Sequence, residues 1–206
     1  MSIELKYTQL NIGCLSRNKF WGEPLDRATR VVSCTSTLIE LTDGSLLLVD
    51  PGLPYETLKE AVFNRRGISL ENLKTIFITH FHGDHMVDLD RYEQCTFYAS
   101  KEELALTTEP LPVTVEPYED RFPGLTPMLL PGHTMGTTGL ALVSNGSRVL
   151  IAGDVVATRD FYLANEVFHN AVDVQLALES VNYAREHFDI IVPGHDVQFP
   201  TKIFAK

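Results

Sequence analysis

Cysteine is scarce. The 206-residue chain has three, Cys14, Cys34 and Cys95, odd in number, far apart and with no Cys-x-x-Cys pair. That excludes a disulfide framework or a cysteine-ligated zinc knuckle, suits a reducing compartment, and makes small buried apolar residues the ordinary reading of all three. No apolar run approaches the roughly 20 residues that a membrane-spanning helix needs. Met1 to Leu10 reads as an alternating strand without the basic and apolar blocks of a secretory signal, so the expected compartment is the cytoplasm. Positive charge is also short: 17 Lys and Arg against 27 Asp and Glu give a net charge of -10. Such a balance discourages a broad footprint on nucleic acid or an anionic membrane and leaves nucleic acid only a local pocket. Repeats, linkers and low-complexity segments are missing too. The remaining composition, 44% hydrophobic with 13 Gly and 11 Pro, is that of a globular domain. One domain over residues 1–206 is expected, because a chain this long buries roughly 70% of its extended surface without cross-links.

What is present alternates strand and helix signals. The β-branched run Val31 to Leu41 crosses Thr42-Asp43-Gly44 into Ser45 to Val49, and Asp-Gly between apolar runs predicts a hairpin. Residues 55–66, with Leu58, Ala61 and Val62 at helical spacing before Gly67, predict an amphipathic helix. Strands are expected at Leu73 to Thr79, Thr96 to Ala99 and Met128 to Leu130, and a short helix at Lys101 to Thr107. A second hairpin is expected around Asn145-Gly146, joining Gly139 to Val143 and Arg148 to Ala152. Ala171 to Phe188, with Val174, Leu178, Val181 and Phe188, reads as a helix, and Ile190 to Val192 as a last strand. Residues 108–127 are proline-rich and poor in pattern, a surface loop or a dimer contact. Two tight antiparallel hairpins argue for a pair of mixed sheets with helices outside rather than a doubly wound parallel sheet.

The chemistry concentrates in Thr79-His80-Phe81-His82-Gly83-Asp84-His85, directly after an apolar strand. In an extended segment the side chains at 80, 82 and 84 point one way, and His85 turns in as a helix begins. Three further donors follow the pattern of apolar strand, glycine, ligand: His133 after Gly132, Asp154 after Gly153 and His195 after Gly194. Glycine lets the backbone bend close while the strand fixes where the side chain starts. Five imidazoles and two carboxylates exceed what one tetrahedral zinc takes, so two metals are the natural count, and the donor types suit Zn, Fe or Mn better than Ca or Mg.

In this order the residues resemble the metallo-β-lactamase superfamily over about residues 30 to 196. The resemblance implies an α+β fold, a four-layer αββα sandwich, with two divalent ions, Zn2+ ahead of Fe or Mn, at one edge of the sheets. It implies that His80, His82 and His133 hold the first ion, Asp84, His85 and His195 the second, and that Asp154 bridges them. Asp50, in the Leu48-Val49-Asp50-x-Gly52 element, would orient the metal-bearing loop through hydrogen bonds to the ligands, with turn capping as the plainer reading. In size and in its Pro-Gly-His ending the chain is similar to the compact group that includes metallo-β-lactamase domain-containing protein 1 and to glyoxalase II-like enzymes.

Departures from the family pattern narrow the expectation. True class B β-lactamases place cysteine at the second metal, whereas here no cysteine lies near Asp154 in sequence, so lactam cleavage is not expected. Flavodiiron proteins carry glutamate where His82 stands. Glyoxalase II-type enzymes add a helical C-terminal region, while this chain runs eleven residues past His195. Acyl-homoserine lactonases show tyrosine where Ala157 stands, and long tRNA-maturing relatives need an exosite arm. The implied activity is hydrolysis of an ester, thioester, lactone or phosphodiester by a metal-bridging hydroxide, with Asp84 as the catalytic carboxylate handling its proton. The alternatives are a mononuclear iron persulfide dioxygenase, a small nucleic-acid phosphodiesterase of the same fold, and a binding protein with a vestigial site. The expected partner is a small-molecule substrate, with no membrane and a homodimer left open. Candidate substrate contacts are Trp21 in the polar loop 17–30, and Arg159, Phe161, Tyr162 and His169 after Asp154; ordinary packing or solvation is the competing reading for each.

Overall fold

The computed structural model describes residues 3–202, so Met1 and Ser2 of the strand expected at the start lie outside the described residues. Six strands build the first sheet in sequence order: β1 (Lys6–Gln9), β2 (Thr37–Glu40), β3 (Leu46–Val49), β4 (Thr75–Phe77), β5 (Thr96–Ala99) and β6 (Val115–Pro117). β1, β2 and β3 are antiparallel; β3 through β6 run parallel. The second sheet has the order β11-β10-β9-β8-β7, from β7 (Thr126–Leu129), β8 (Thr138–Ser144), β9 (Ser147–Gly153), β10 (Ile190–Pro193) and β11 (Phe199–Pro200). Only β9 and β10 in it are parallel. Among the described residues four α-helices accompany the sheets: α1 (Tyr55–Arg66), α2 (Lys101–Leu104), α3 (Arg159–Ala164) and α4 (Val174–His187). Among the described residues no helix is long and apolar enough to cross a membrane.

Alternation along the strands sets the layers. Leu46 and Leu48 of β3 turn to α1, packing with Leu58 and Val62, while Leu47 and Val49 turn the other way. There they meet Phe77 and, from the second sheet, Leu140, Leu142, Val149, Ile151 and Val192. Leu150 and Ala152 of β9 point to the opposite face, where Val181, Ala184 and Phe188 cover them. The period-2 pattern thus yields helix, sheet, sheet, helix: the αββα sandwich.

Both expected hairpins form. Asp43 closes the β2–β3 turn by accepting from the Ser45 N–H at 2.9 Å and hydroxyl at 2.6 Å. Asn145 and Gly146, at φ 49 and 73, supply the left-handed pair that a two-residue turn between twisted strands requires. α1 ends at Gly67, whose φ of 64 lets its N–H cap Phe63.

Four expectations are corrected. The run Val31 to Leu41 is strand only over β2. Residues 108–127 are not all loop: they hold β6, an edge strand in which Pro117 is tolerated because it need not donate into a central ladder. α3 and β11 carry little periodicity and lie outside the expected elements. On α4 the buried stripe is Ala177, Ser180, Val181 and Ala184, while Val174 is exposed, since small residues let the helix lie close to Gly132.

Candidate metal centre

All seven expected donors sit where strands end. His80, His82, Asp84 and His85 follow β4 of the first sheet, while His133, Asp154 and His195 follow β7, β9 and β10 of the second. The chain bends at Thr79 and His80, then tightens into a 3-10 turn over Gly83–His85, so Asp84 arrives from that turn rather than from the extended register expected.

His80 Nε2, His82 Nδ1 and His133 Nε2 form a triangle with sides of 3.0, 3.1 and 3.0 Å. Zinc bonds of about 2.0–2.1 Å in a tetrahedron place ligand nitrogens about 3.3 Å apart, close to this spacing. Asp154 completes the group, its Oδ2 lying 3.4 Å from His133 Nε2 and 3.0 Å from His195 Nε2. Its Oδ1 is 3.2 Å from His85 Nε2, so the carboxylate stands between two donor groups. The second group is Asp84, His85 and His195, with Asp84 Oδ2 at 3.9 and 3.6 Å from the two rings. Each group therefore takes donors from both sheets.

The hydrogen-bond network points lone pairs inward. The Thr79 hydroxyl donates to Asp50 Oδ2 at 2.7 Å, which leaves its oxygen to accept from His80 Nδ1 at 3.1 Å. His85 Nδ1 donates to Asp50 Oδ2 at 2.9 Å, and His195 Nδ1 donates to the Ser33 carbonyl at 2.9 Å. On all three rings Nδ1 is thus taken up by the protein, which leaves Nε2 as the nitrogen turned inward for a cation. Asp50 also accepts the Thr79 N–H at 2.8 Å, and it does this from a left-handed backbone, φ 53. These bonds go to ligand-bearing groups, which favours the orienting role over simple turn capping.

Within the two donor groups three buried polar atoms, Asp84 Oδ2, His85 Nε2 and Asp154 Oδ1, have no hydrogen-bond partner. Orphaned buried acceptors are costly, and their convergence fits a cation-binding pocket. Gly194 leaves the room: a Cβ there would fall 2.0 Å from Asp154 Oδ1. Burial lowers His80 well below the ordinary imidazole value and His133 to about 4, so both are neutral. Burial also opposes charge on His85 and His195, but Cys34, Asp154 and Asp50 together outweigh it at His85 and Asp154 outweighs it at His195, so both pKa values rise. Asp154 itself, against burial, is held well below the carboxylate range by His195, His85 and His133.

Two residues escaped sequence reasoning. Glu103 on α2 accepts from the Phe81 N–H at 2.9 Å and the Thr134 hydroxyl at 2.5 Å, tying the His80–His82 segment to the one that follows His133. A lone glutamate in a short helix carries no motif; its signal is burial to 3% exposure. Cys34, distant from Asp154 in sequence, lies at the back of the centre: it forms a trio with Asp50 and His85, their donor atoms within 4.8 Å of one another. Its thiol points to the Asp50 carbonyl at 3.8 Å, and burial pushes its pKa up to about 12, so it stays protonated.

The expected substrate contacts do not converge. Tyr162 is turned into the core between α3, α4 and the second sheet, its ring beside Phe199 and under Arg185, because the buried face of α3 is the one it shares with Phe161. Phe161 packs edge-on against Phe20 and Phe168. Trp21 is exposed, donating to Asp160 at 2.9 Å with Arg30 stacked on its ring. His169 pairs with Arg17 on the surface. Arg159 is exposed, and its backbone N–H donates to Asp196 at 3.1 Å.

Comparison with solved structures returns the same architecture. A dizinc quorum-quenching lactonase bound to its product N-hexanoyl-L-homoserine superposes with a TM-score of 0.63 at 16% identity, covering 84% of this chain and 80% of that one. An N-acyl homoserine lactone hydrolase gives 0.69 at 22%, covering 96% and 94%. A protein in a di-iron-bound form gives 0.62 at 22%, covering 82% and 90%. At these identities the likeness shows the fold alone. Among curated proteins no sequence matches. The family model described as "Metallo-beta-lactamase superfamily" matches residues 29–195, spanning every donor of the cage, and the chain belongs to that superfamily.

Proposed function

We propose that the chain is a hydrolase that works with two divalent cations, cleaving an ester, thioester, lactone or phosphodiester. His80, His82 and His133 would hold one ion, Asp84, His85 and His195 the other, with Asp154 between them. The observation that carries this reading is the convergence of the inward imidazole nitrogens with the unpartnered oxygens of Asp84 and Asp154. Two divalent ions there would bring water to its nucleophilic form near neutral pH and polarise the oxygen of the bond under attack. Asp50 and Thr79 keep the imidazoles aimed. Asp84, whose Oδ2 faces both His85 and His195, takes the proton that the attacking water gives up and delivers it to the leaving group. Zn2+ is the favoured ion, since a nitrogen triangle of about 3 Å suits tetrahedral binding.

Metal analysis of protein purified without chelator tests this, followed by a panel of the four substrate classes. About two ions per chain and turnover of one class are expected. His133→Ala should lose one ion, and Asp84→Asn should lower kcat by about 100-fold or more. A single iron with oxygen uptake, or unchanged metal content and turnover in both variants, would sink the proposal.

A further inference from the structure

Beside the cage lies a cavity of about 520 Å³, within the 300–1,000 Å³ range of ligand pockets. Its wall is made from the same segments as the cage. Phe81 stands between His80 and His82, Met86 follows His85, Thr134 and Met135 follow His133, and the N–H of Val172 donates to the His133 carbonyl at 3.1 Å. The far side is the run from Leu106 to Pro112, where Pro110 and Pro112 restrict the backbone.

The lining selects against anions: among the described residues no lysine, arginine or histidine faces it, and Glu109 stands exposed on its wall. The carboxylate of Glu103 is consumed by the Phe81 N–H and the Thr134 hydroxyl. Leu106, Met135 and Val172 are left exposed around the space, an apolar surface open to solvent, and two methionines give it adaptable walls. A phosphodiester backbone finds no cationic partner there, while an apolar chain finds Phe81, Met86, Leu106, Leu111, Met135 and Val172.

Resting on the hydrolase reading, we propose that this cavity seats the apolar acyl chain of a carboxylic ester, thioester or lactone whose scissile carbonyl lies at the cage, and that Leu106, Leu111 and Met135 set the chain length accepted.

The test is a series of thioesters from acetyl to decanoyl, with bis(p-nitrophenyl) phosphate as the phosphodiester, on wild type and Leu106→Glu. For wild type, kcat/KM should rise about three- to fourfold per added methylene until the cavity is full. The variant should lower the octanoyl-to-acetyl ratio of kcat/KM tenfold or more. Displacement of N-phenyl-1-naphthylamine by decanamide gives a readout without turnover, and Leu106→Glu should weaken it about tenfold. Phosphodiester turnover exceeding that of every thioester, or a chain-length profile that is flat and indifferent to the variant, would overturn the proposal. Decanamide binding sensitive to Leu106→Glu, with no thioester turned over by fully loaded protein, would support the apolar seat and overturn the hydrolase reading instead.

Discussion

Glu103 has both carboxylate oxygens engaged, one on the backbone between His80 and His82 and one on the hydroxyl beside His133. Removing the carboxylate frees both segments. Glu103→Ala should weaken zinc binding by about 10–100-fold, read against a competing chelator, while Glu103→Gln should retain most of it because the amide still accepts from Phe81. Protons compete for the same donors in a worked direction. His80 and His133 stay neutral when buried, so below about pH 6.5 the unfolded chain takes up protons that the fold refuses, and stability falls toward pH 4. His85 and His195 have raised values, so their contribution is complete below about pH 6.5 and is lost as pH climbs through the folded values. Thermal midpoints of chelated protein from pH 5 to 9 should therefore peak near pH 6.5, and zinc should remove the alkaline decline. A flat profile would contradict these assignments.

Loops between elements are held as tightly as the donors they carry. Gly132 has φ 128, and a Cβ on it would meet the backbone nitrogen of Ala177 in α4 at 2.2 Å. Gly132→Ala forces helix and loop apart and should cost at least about 2 kcal/mol in urea unfolding, with His133 displaced and metal content reduced. Such glycines explain why much of the cage was legible in the sequence. A glycine between an apolar strand and a donor marks a close backbone approach, and that grammar picked out His133, Asp154 and His195. α1 was legible to its last residue because Leu58, Val62 and Gly67 all argue for the same helix. β6 was not, since prolines mask an edge strand whose pairing is decided by β5. Glu103 and Cys34 were invisible as site residues because each reaches the centre through a contact distant in sequence, which no local spacing records.

For the molecule as a whole, ion binding and folding are coupled, because the donors exist as a cage only once both sheets are packed. Free zinc at about 1,000 times its Kd should stabilise the fold by about 4 kcal/mol. For a chain of this size that is a rise of roughly 8–16 °C in Tm, to be read by calorimetry with and without chelator. An unchanged Tm would mean that the cage does not bind zinc. Since each donor group draws from both sheets, neither half holds a complete group by itself. If the chain were severed at the exposed residues 119–121 between β6 and β7, neither fragment would carry a complete donor group and full affinity would return only on reunion, so tight zinc uptake would count assembled molecules, making the centre a gauge of its own docking.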